Sequence, residues 1–241
     1  MDALTRALVE SAKAVFDPPG PVLEIGSLQV QGEAVGDLRP LFPGKEYVGC
    51  DMQAGPGVDR VERLESLSLP DGWAGTVLCL NVFEHAWDFR RGAEEIRRVT
   101  ALGGMALVVT LFEFHIHAYP EDYWRFTPRA LERLFDGFES VLVGWQGHPK
   151  TPRLVFALGL KASPENLEEL AEQWRSETLA RWNEKPPLWD RIRAGVGGAL
   201  FGKRGFRRIR HWRDLVIQVG AVGQGGRRSA HQWLLDRRKG V

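Results

Sequence analysis

The chain has 241 residues, 44% hydrophobic and 26% charged, with a formal net charge of +1. That balance describes a folded protein able to bury a sizeable core, and it excludes a fibrous, low-complexity or disordered chain. No run approaches the about 18 consecutive apolar residues that cross a bilayer. Met1-Asp2-Ala3-Leu4 lacks the basic-then-apolar pattern of a secretory signal, so the expected location is the cytoplasm.

In chain order, Leu4, Leu8, Ala12, Val15 and Phe16 recur at helical spacing, and Asp17-Pro18-Pro19-Gly20-Pro21 stops that helix. The stretch Val22-Leu23-Glu24-Ile25-Gly26-Ser27 then predicts a buried strand ending in acid-x-Gly. A glycine at that point lets the backbone turn sharply and approach a ligand closely, as nucleotide-cofactor sheets require after their first strand. The full G-x-G-x-x-G fingerprint is absent, because Leu28, Gln29, Val30 and Gln31 precede Gly32. Further apolar runs predict strands over 46–51, 76–81 and 105–110, with a helix carrying Ala93, Ile96 and Val99 between the last two, ended by Leu102-Gly103-Gly104. Cys50 and Cys79 lie inside these runs and read as small buried hydrophobes. Thr127-Pro128 opens another helix, and segments 140–145 and 153–160 form an antiparallel edge hairpin. The pattern predicts an α/β, doubly wound, Rossmann-like fold with a seven-stranded, mostly parallel sheet over residues 1–162. Residues 163–241 form a helical and basic C-terminal appendage.

The order of elements and four stretches resemble the class I S-adenosylmethionine-dependent methyltransferases, type 11 in particular. The stretches are Val22-Leu-Glu-Ile-Gly26, Tyr47-Val-Gly-Cys-Asp51, Leu80-Asn-Val-Phe-Glu-His85 and Ile96-Arg-Arg-Val-Thr-Ala-Leu-Gly-Gly104. The resemblance covers about residues 20–162 and implies S-adenosylmethionine as cofactor. It places Glu24, Gly26 and Ser27 beside the methionine end, Asp51 on the ribose hydroxyls, Glu65 on the adenine amino group, and Asn81 and His85 along the cofactor. The ribose role also has independent chemistry, since a carboxylate at the end of a second strand can accept both hydroxyl protons. The chain departs from the family at Leu28 and Val30, which stand where loop glycines are usual.

A second chemical region is His115-Ile-His-Ala-Tyr-Pro-Glu-Asp-Tyr-Trp-Arg125, after the fifth predicted strand. Loops at the carboxyl ends of such strands carry function. Methyl transfer requires in-line placement of an acceptor, and a base when the nucleophile is a hydroxyl. His117 or His115 is the candidate base, Asp122 the group that orients it, and Tyr119, Tyr123, Trp124 and Arg125 the acceptor-binding set. His-x-His followed by Asp122 also carries metal-ligand chemistry, but no second ligand cluster follows in the sequence, and no metal is expected.

Beyond residue 162, Leu167, Leu170, Ala171, Trp174, Thr178 and Trp182 predict an amphipathic helix. Residues 203–241 carry eleven Lys or Arg against two acids, a charge of +9 that leaves −8 on the remainder. Such an arm suits RNA or the inner membrane surface, and equally a lid or oligomer contact. Segment 214–222 reads as a strand with no visible partner. The sequence therefore predicts an S-adenosylmethionine-dependent methyltransferase acting, at oxygen, on a small-molecule or glycan-linked acceptor. The alternatives are a catalytically inactive module that holds RNA or membrane through its tail, and a nicotinamide-dependent oxidoreductase sharing Gly26 and Asp51.

Overall fold

Successive side chains on a strand point to opposite faces, so a short apolar strand buried on both sides must be covered by two layers. The computed structural model, which describes residues 2–30, 36–118, 120–185, 188 and 211–220, shows this arrangement. In β1 (Val22–Ile25), Val22 enters one core cluster, while Leu23 and Ile25 enter the other. In β4 (Ala74–Leu80), Val77 and Cys79 face the second cluster and Leu78 the first. The other strands are β2 (Tyr47–Asp51), β3 (Arg60–Val61), β5 (Thr100–Leu111), β6 (Ser140–His148), β7 (Thr151–Leu160) and β8 (Leu215–Val219).

These strands form one sheet in the order β3-β2-β1-β4-β5-β7-β6-β8. Strands β3, β2, β1, β4 and β5 run parallel, whereas β7, β6 and β8 continue the sheet in antiparallel pairings. The doubly wound architecture with an antiparallel edge agrees with the sequence, but the sheet has eight strands among the described residues, not seven. β3 spans two exposed residues and gives no apolar signal. The strand predicted at 214–222 does have a partner: Leu142 pairs with Val219 and Gln146 with Leu215 on β6.

One face of the sheet is covered by α1 (Ala3–Phe16) and α4 (Leu167–Arg181), the other by α2 (Phe89–Val99) and α3 (Pro128–Leu134). Helix α1 starts where the Asp2 side chain accepts the Thr5 N–H and ends at Asp17, whose φ of 39° is left-handed. Helix α2 ends at Val99, earlier than Gly103. β-branched Thr100 turns its hydroxyl back onto the Ile96 carbonyl at 2.6 Å and opens β5. Helix α3 has Thr127 as its N-cap and Pro128 at its first position, as expected.

The described parts of residues 163–241 pack on the same sheet. On α4, Trp174 is fully buried and its indole N–H donates to the Leu8 carbonyl at 3.1 Å, while Thr178 and Ser11 hydroxyls meet at 2.6 Å. Gln146 donates to the Trp212 carbonyl at 2.6 Å, securing the turn before β8. The glycine-rich segment and most of the basic arm, residues 189–210 and 221–241, lie outside the described residues. Among the described residues no helix is long and apolar enough to cross a membrane.

Because Trp174 fills the seam between α1, α4 and the sheet, Trp174→Ala should destabilise the fold by about 3–5 kcal/mol in urea unfolding. A loss below about 1 kcal/mol would mean that α4 is dispensable to the core.

Candidate functional site

A crevice opens where β1 and β4 lie side by side and their onward connections leave in opposite directions, the usual ligand position in an open α/β sheet. It encloses about 610 Å³, within the range of small-molecule and cofactor sites. Two left-handed residues shape it. Gly26, at the end of β1, has φ of 82°, and a Cβ there would come within 2.3 Å of Val82 Cγ2. Asn81, at the end of β4, has φ of 57°, a conformation asparagine tolerates better than most residues. The turn after β1 is tied to β2 because Gly26 and Ser27 N–H groups both donate to the Cys50 carbonyl, at 2.8 and 3.1 Å.

All seven residues expected to hold the cofactor line this one cavity: Glu24, Gly26, Ser27, Asp51, Glu65, Asn81 and His85. Glu24 is buried and accepts the Tyr47 hydroxyl at 2.7 Å; burial pushes its pKa up to about 7 despite that hydrogen bond. Asp51 accepts the Gln53 N–H at 3.0 Å and stands 3.4 Å from the Leu28 N–H. Glu65 forms a 3.7 Å ion pair with Arg63. Ser27 Oγ and Asn81 Oδ1 are buried with no hydrogen-bond partner among the described residues. Orphaned polar atoms in a roomy crevice are what a polar ligand would satisfy. Leu28 and Val30 also line the crevice without closing it, and Val30 is 79% exposed.

The loop from Phe112 to Phe126 crosses the mouth of the crevice and is held from both sides. Tyr123 and Trp124 N–H groups donate to the Glu84 carbonyl at 2.9 and 3.2 Å, and Phe126 N–H donates to Leu111 at 3.1 Å. Inside the loop, Arg125 grips Asp122 in a bidentate pair at 2.5 and 2.8 Å and also donates to the His115 and Trp124 carbonyls. Asp122 further accepts the His117 N–H at 2.7 Å. These hydrogen bonds, Arg125 first, hold the Asp122 carboxyl well below the usual carboxylate range.

The two histidines are not equivalent. His115 is exposed and stacks on Phe114 at 4.3 Å, whereas half-buried His117 places Nδ1 3.0 Å from Asp122 Oδ2. The His117 ring meets the His85 ring edge to face at 4.8 Å. The Asp122–Arg125 pair braces the loop, and Asp122 also holds the His117 backbone. Tyr123 and Trp124 form an aromatic wall with Trp87, at 5.2 and 5.7 Å. Tyr119 lies outside the described residues.

One residue at the carboxyl edge of the sheet carries chemistry to which the sequence assigned no role. Glu84 is fully buried beneath the loop, with Oε2 accepting the Thr110 hydroxyl at 2.7 Å and Oε1 without a partner. Burial raises its pKa above the usual value. Glu84 and His85 both stand at the strand end in the sequence, but nothing local announces that Glu84 faces inward under a loop nearly 40 residues away.

Residues 28–108 match the family model described as a methyltransferase domain. No curated protein matches the chain. Solved structures share the fold at low identity. One is a Burkholderia thailandensis 1,6-didemethyltoxoflavin-N1-methyltransferase, solved with 1,6-didemethyltoxoflavin and S-adenosylhomocysteine bound. It is 15% identical, with 66% of this chain and 79% of that chain covered and a TM-score of 0.52. The trans-methyltransferase CalH in complex with S-adenosylhomocysteine is 16% identical, with 66% and 58% covered and a TM-score of 0.50. A Thermotoga maritima S-adenosylmethionine-dependent methyltransferase, described as a possible histamine N-methyltransferase, is 19% identical, with 66% and 92% covered and a TM-score of 0.47.

The raised pKa of Glu24 gives a signed prediction for stability. Between its ordinary value of 4.5 and about 7 the folded state holds a proton that the unfolded state has lost, so this group weakens folding as pH rises through that window. Glu24→Gln removes the effect. Its stability relative to wild type should therefore increase from pH 4.5 to 7, by at most about 1.4 kcal/mol per unit. Parallel stability curves for the two proteins would show that Glu24 titrates normally.

Proposed function

With a methyltransferase-domain segment at residues 28–108 on the class I methyltransferase fold, we propose that the protein is an S-adenosylmethionine-dependent methyltransferase. The observation that carries this reading is the crevice between β1 and β4, which gathers Glu24, Asp51, Glu65 and Asn81 around about 610 Å³. The cofactor supplies an electrophilic methyl group on a sulfonium. Asp51 would take the ribose hydroxyls, Glu65 the adenine amino group, and Glu24, Ser27 and Asn81 the methionine end, where the orphaned oxygens of Ser27 and Asn81 await donors. Glu24 is neutral or charged near pH 7 according to its surroundings, so a cationic ligand would favour its ionised form.

The acceptor enters from the side of the 112–126 loop. Trp87, Ile116 and Tyr123 are exposed at 65%, 74% and 37%, large apolar groups that favour a ring or other flat, partly apolar acceptor. Between this rim and the cofactor crevice stand His85 and His117. We assign His117, rather than His115, to the acceptor's nucleophilic atom, because it is the half-buried histidine, beside Asp122 and in ring contact with His85, which lines the crevice. A hydroxyl of a small-molecule or glycan-linked acceptor, losing its proton at this point, suits the arrangement. The loop and aromatic wall hold the acceptor in line and exclude water, which is most of what methyl transfer asks of a protein.

Calorimetric titration of the full chain should show stoichiometric S-adenosylhomocysteine binding and none of NAD, with Asp51→Ala weakening the former at least tenfold. Binding of NAD alone would overturn the assignment. In turnover assays with an accepted substrate, His117→Ala should lower kcat at least 100-fold while S-adenosylhomocysteine affinity stays within about twofold. Unchanged kcat would reduce His117 to a structural part of the loop.

A further inference from the structure

Beneath the loop, Glu84, His85 and His117 each direct a ligand-capable atom into one space, all within 4.8 Å of one another. Two observations mark this as a donor set facing inward. First, Glu84 Oε1 is fully buried and has no hydrogen-bond partner, although its sister oxygen is satisfied by Thr110. An unpaired carboxylate oxygen away from water is costly unless a cation or donor meets it. Second, both imidazoles are positioned for a ligand. His85 Nδ1 lies 2.5 Å from the Glu121 carbonyl, which only accepts, so the ring proton resides on Nδ1 and Nε2 is bare. A carbonyl behind the ring is the outer shell that metal-ligating histidines have. His117 is held by its backbone N–H, which donates to Asp122 at 2.7 Å, while its buried Nδ1, 3.0 Å from Asp122 Oδ2, makes no aligned hydrogen bond.

We propose that Glu84, His85 and His117 bind a single divalent transition-metal ion, with Asp122 and the Glu121 carbonyl as its outer shell. Two imidazoles and one carboxylate are the donor set of catalytic zinc sites, which leave a fourth position open. Ligand bonds of about 2.0–2.2 Å place tetrahedral ligand atoms about 3.3 Å apart, so the three groups close by about 1.5 Å or less around the ion. Glu84 is fixed by Thr110, and His85, in the turn after β4, and His117, in the 112–126 loop, supply the movement.

The ion's role rests on the methyltransferase reading; its binding does not. His85 also lines the cofactor cavity, so an ion held here would lie at the edge of the crevice. With an ion bound, His117 would act on the acceptor through the metal and not as its base: a hydroxyl oxygen in the open position loses its proton to water at neutral pH, because coordination lowers its pKa. That oxygen then attacks the sulfonium methyl carbon. The new O–C bond forms as the C–S bond breaks, and the electron pair stays on sulfur, leaving a neutral thioether. The acceptor class is thus a hydroxyl compound able to reach a metal, such as a phenol or enol.

The test uses the full chain stripped with a chelator and titrated with Zn²⁺ alone. One equivalent should bind with micromolar or tighter affinity. His85→Ala and His117→Ala should each weaken it at least tenfold, and Asp122→Asn by 10- to 100-fold through the outer shell. Glu84→Gln is paired with these because a buried substitution can impair folding, while His85 and His117 are only partly buried. His211→Ala, at the separate His148–His211 contact, should leave the affinity unchanged. Absence of stoichiometric binding, or binding that survives the double variant His85→Ala/His117→Ala, overturns the proposal. A parallel titration of the stripped protein with S-adenosylhomocysteine separates the two readings. Cofactor-product binding without Zn²⁺ binding leaves the methyltransferase and removes the metal, and the reverse result does the opposite.

Discussion

The parallel pairing of β1 with β4 is the constraint on which the rest of the site depends. Val22 to Ile25 pair with Thr76 to Cys79 in register, so both strands end at the same level in the middle of the sheet. Each strand is buried on both faces and cannot extend further without burying more backbone, and each ends in a left-handed residue, Gly26 or Asn81. The chain therefore turns away on both sides and leaves a crevice floored by backbone. At Gly26 the geometry admits no side chain, because Val82 fills the space a Cβ would need. Crevice, approach and anchoring acids all follow from this one pair of strands.

Burial of carboxylates is the second organising theme, and it is resolved differently at each place. Asp122 is paired twice by Arg125 and becomes a rigid strut. Glu95 is likewise neutralised by Arg98 and Arg91, and serves only to tie α2 to the Leu67 backbone. Glu24 has a phenol but no direct cation, and Glu84 has a hydroxyl on one oxygen and nothing on the other. Asp122 and Glu95 are fully paired, while Glu24 and Glu84, on the cofactor and acceptor sides, are incompletely satisfied among the described residues. That contrast separates scaffold from site more sharply than sequence position does.

Much of the fold was legible because apolar runs, helix caps and punctuating Pro and Gly are local signals. Val22 to Gly26, the Thr127-Pro128 helix start and the hairpin of β6 and β7 all emerge from such signals. What stayed hidden was non-local. β3 is too short and too exposed to show a pattern, and β8, though legible as a strand, has its partner in Leu142 to Gln146, some 70 residues away. At the site, Gly26 and Asp51 announced themselves through strand-end chemistry. Glu84 did not, because its burial arises only when the 112–126 loop folds over it. Arg125 looked like a ligand for an anion, yet its donors are directed to Asp122 and to carbonyls of its own loop.

The central claim is that the β1/β4 crevice is where the cofactor lies. Hydrogen exchange of the full chain with and without S-adenosylhomocysteine tests it most directly. The account predicts that protection is concentrated in segments 24–30, 49–53 and 80–86, which line the crevice or adjoin it, with little change in β6 to β8. Protection elsewhere with these segments unchanged, under conditions where the ligand is bound, would contradict it.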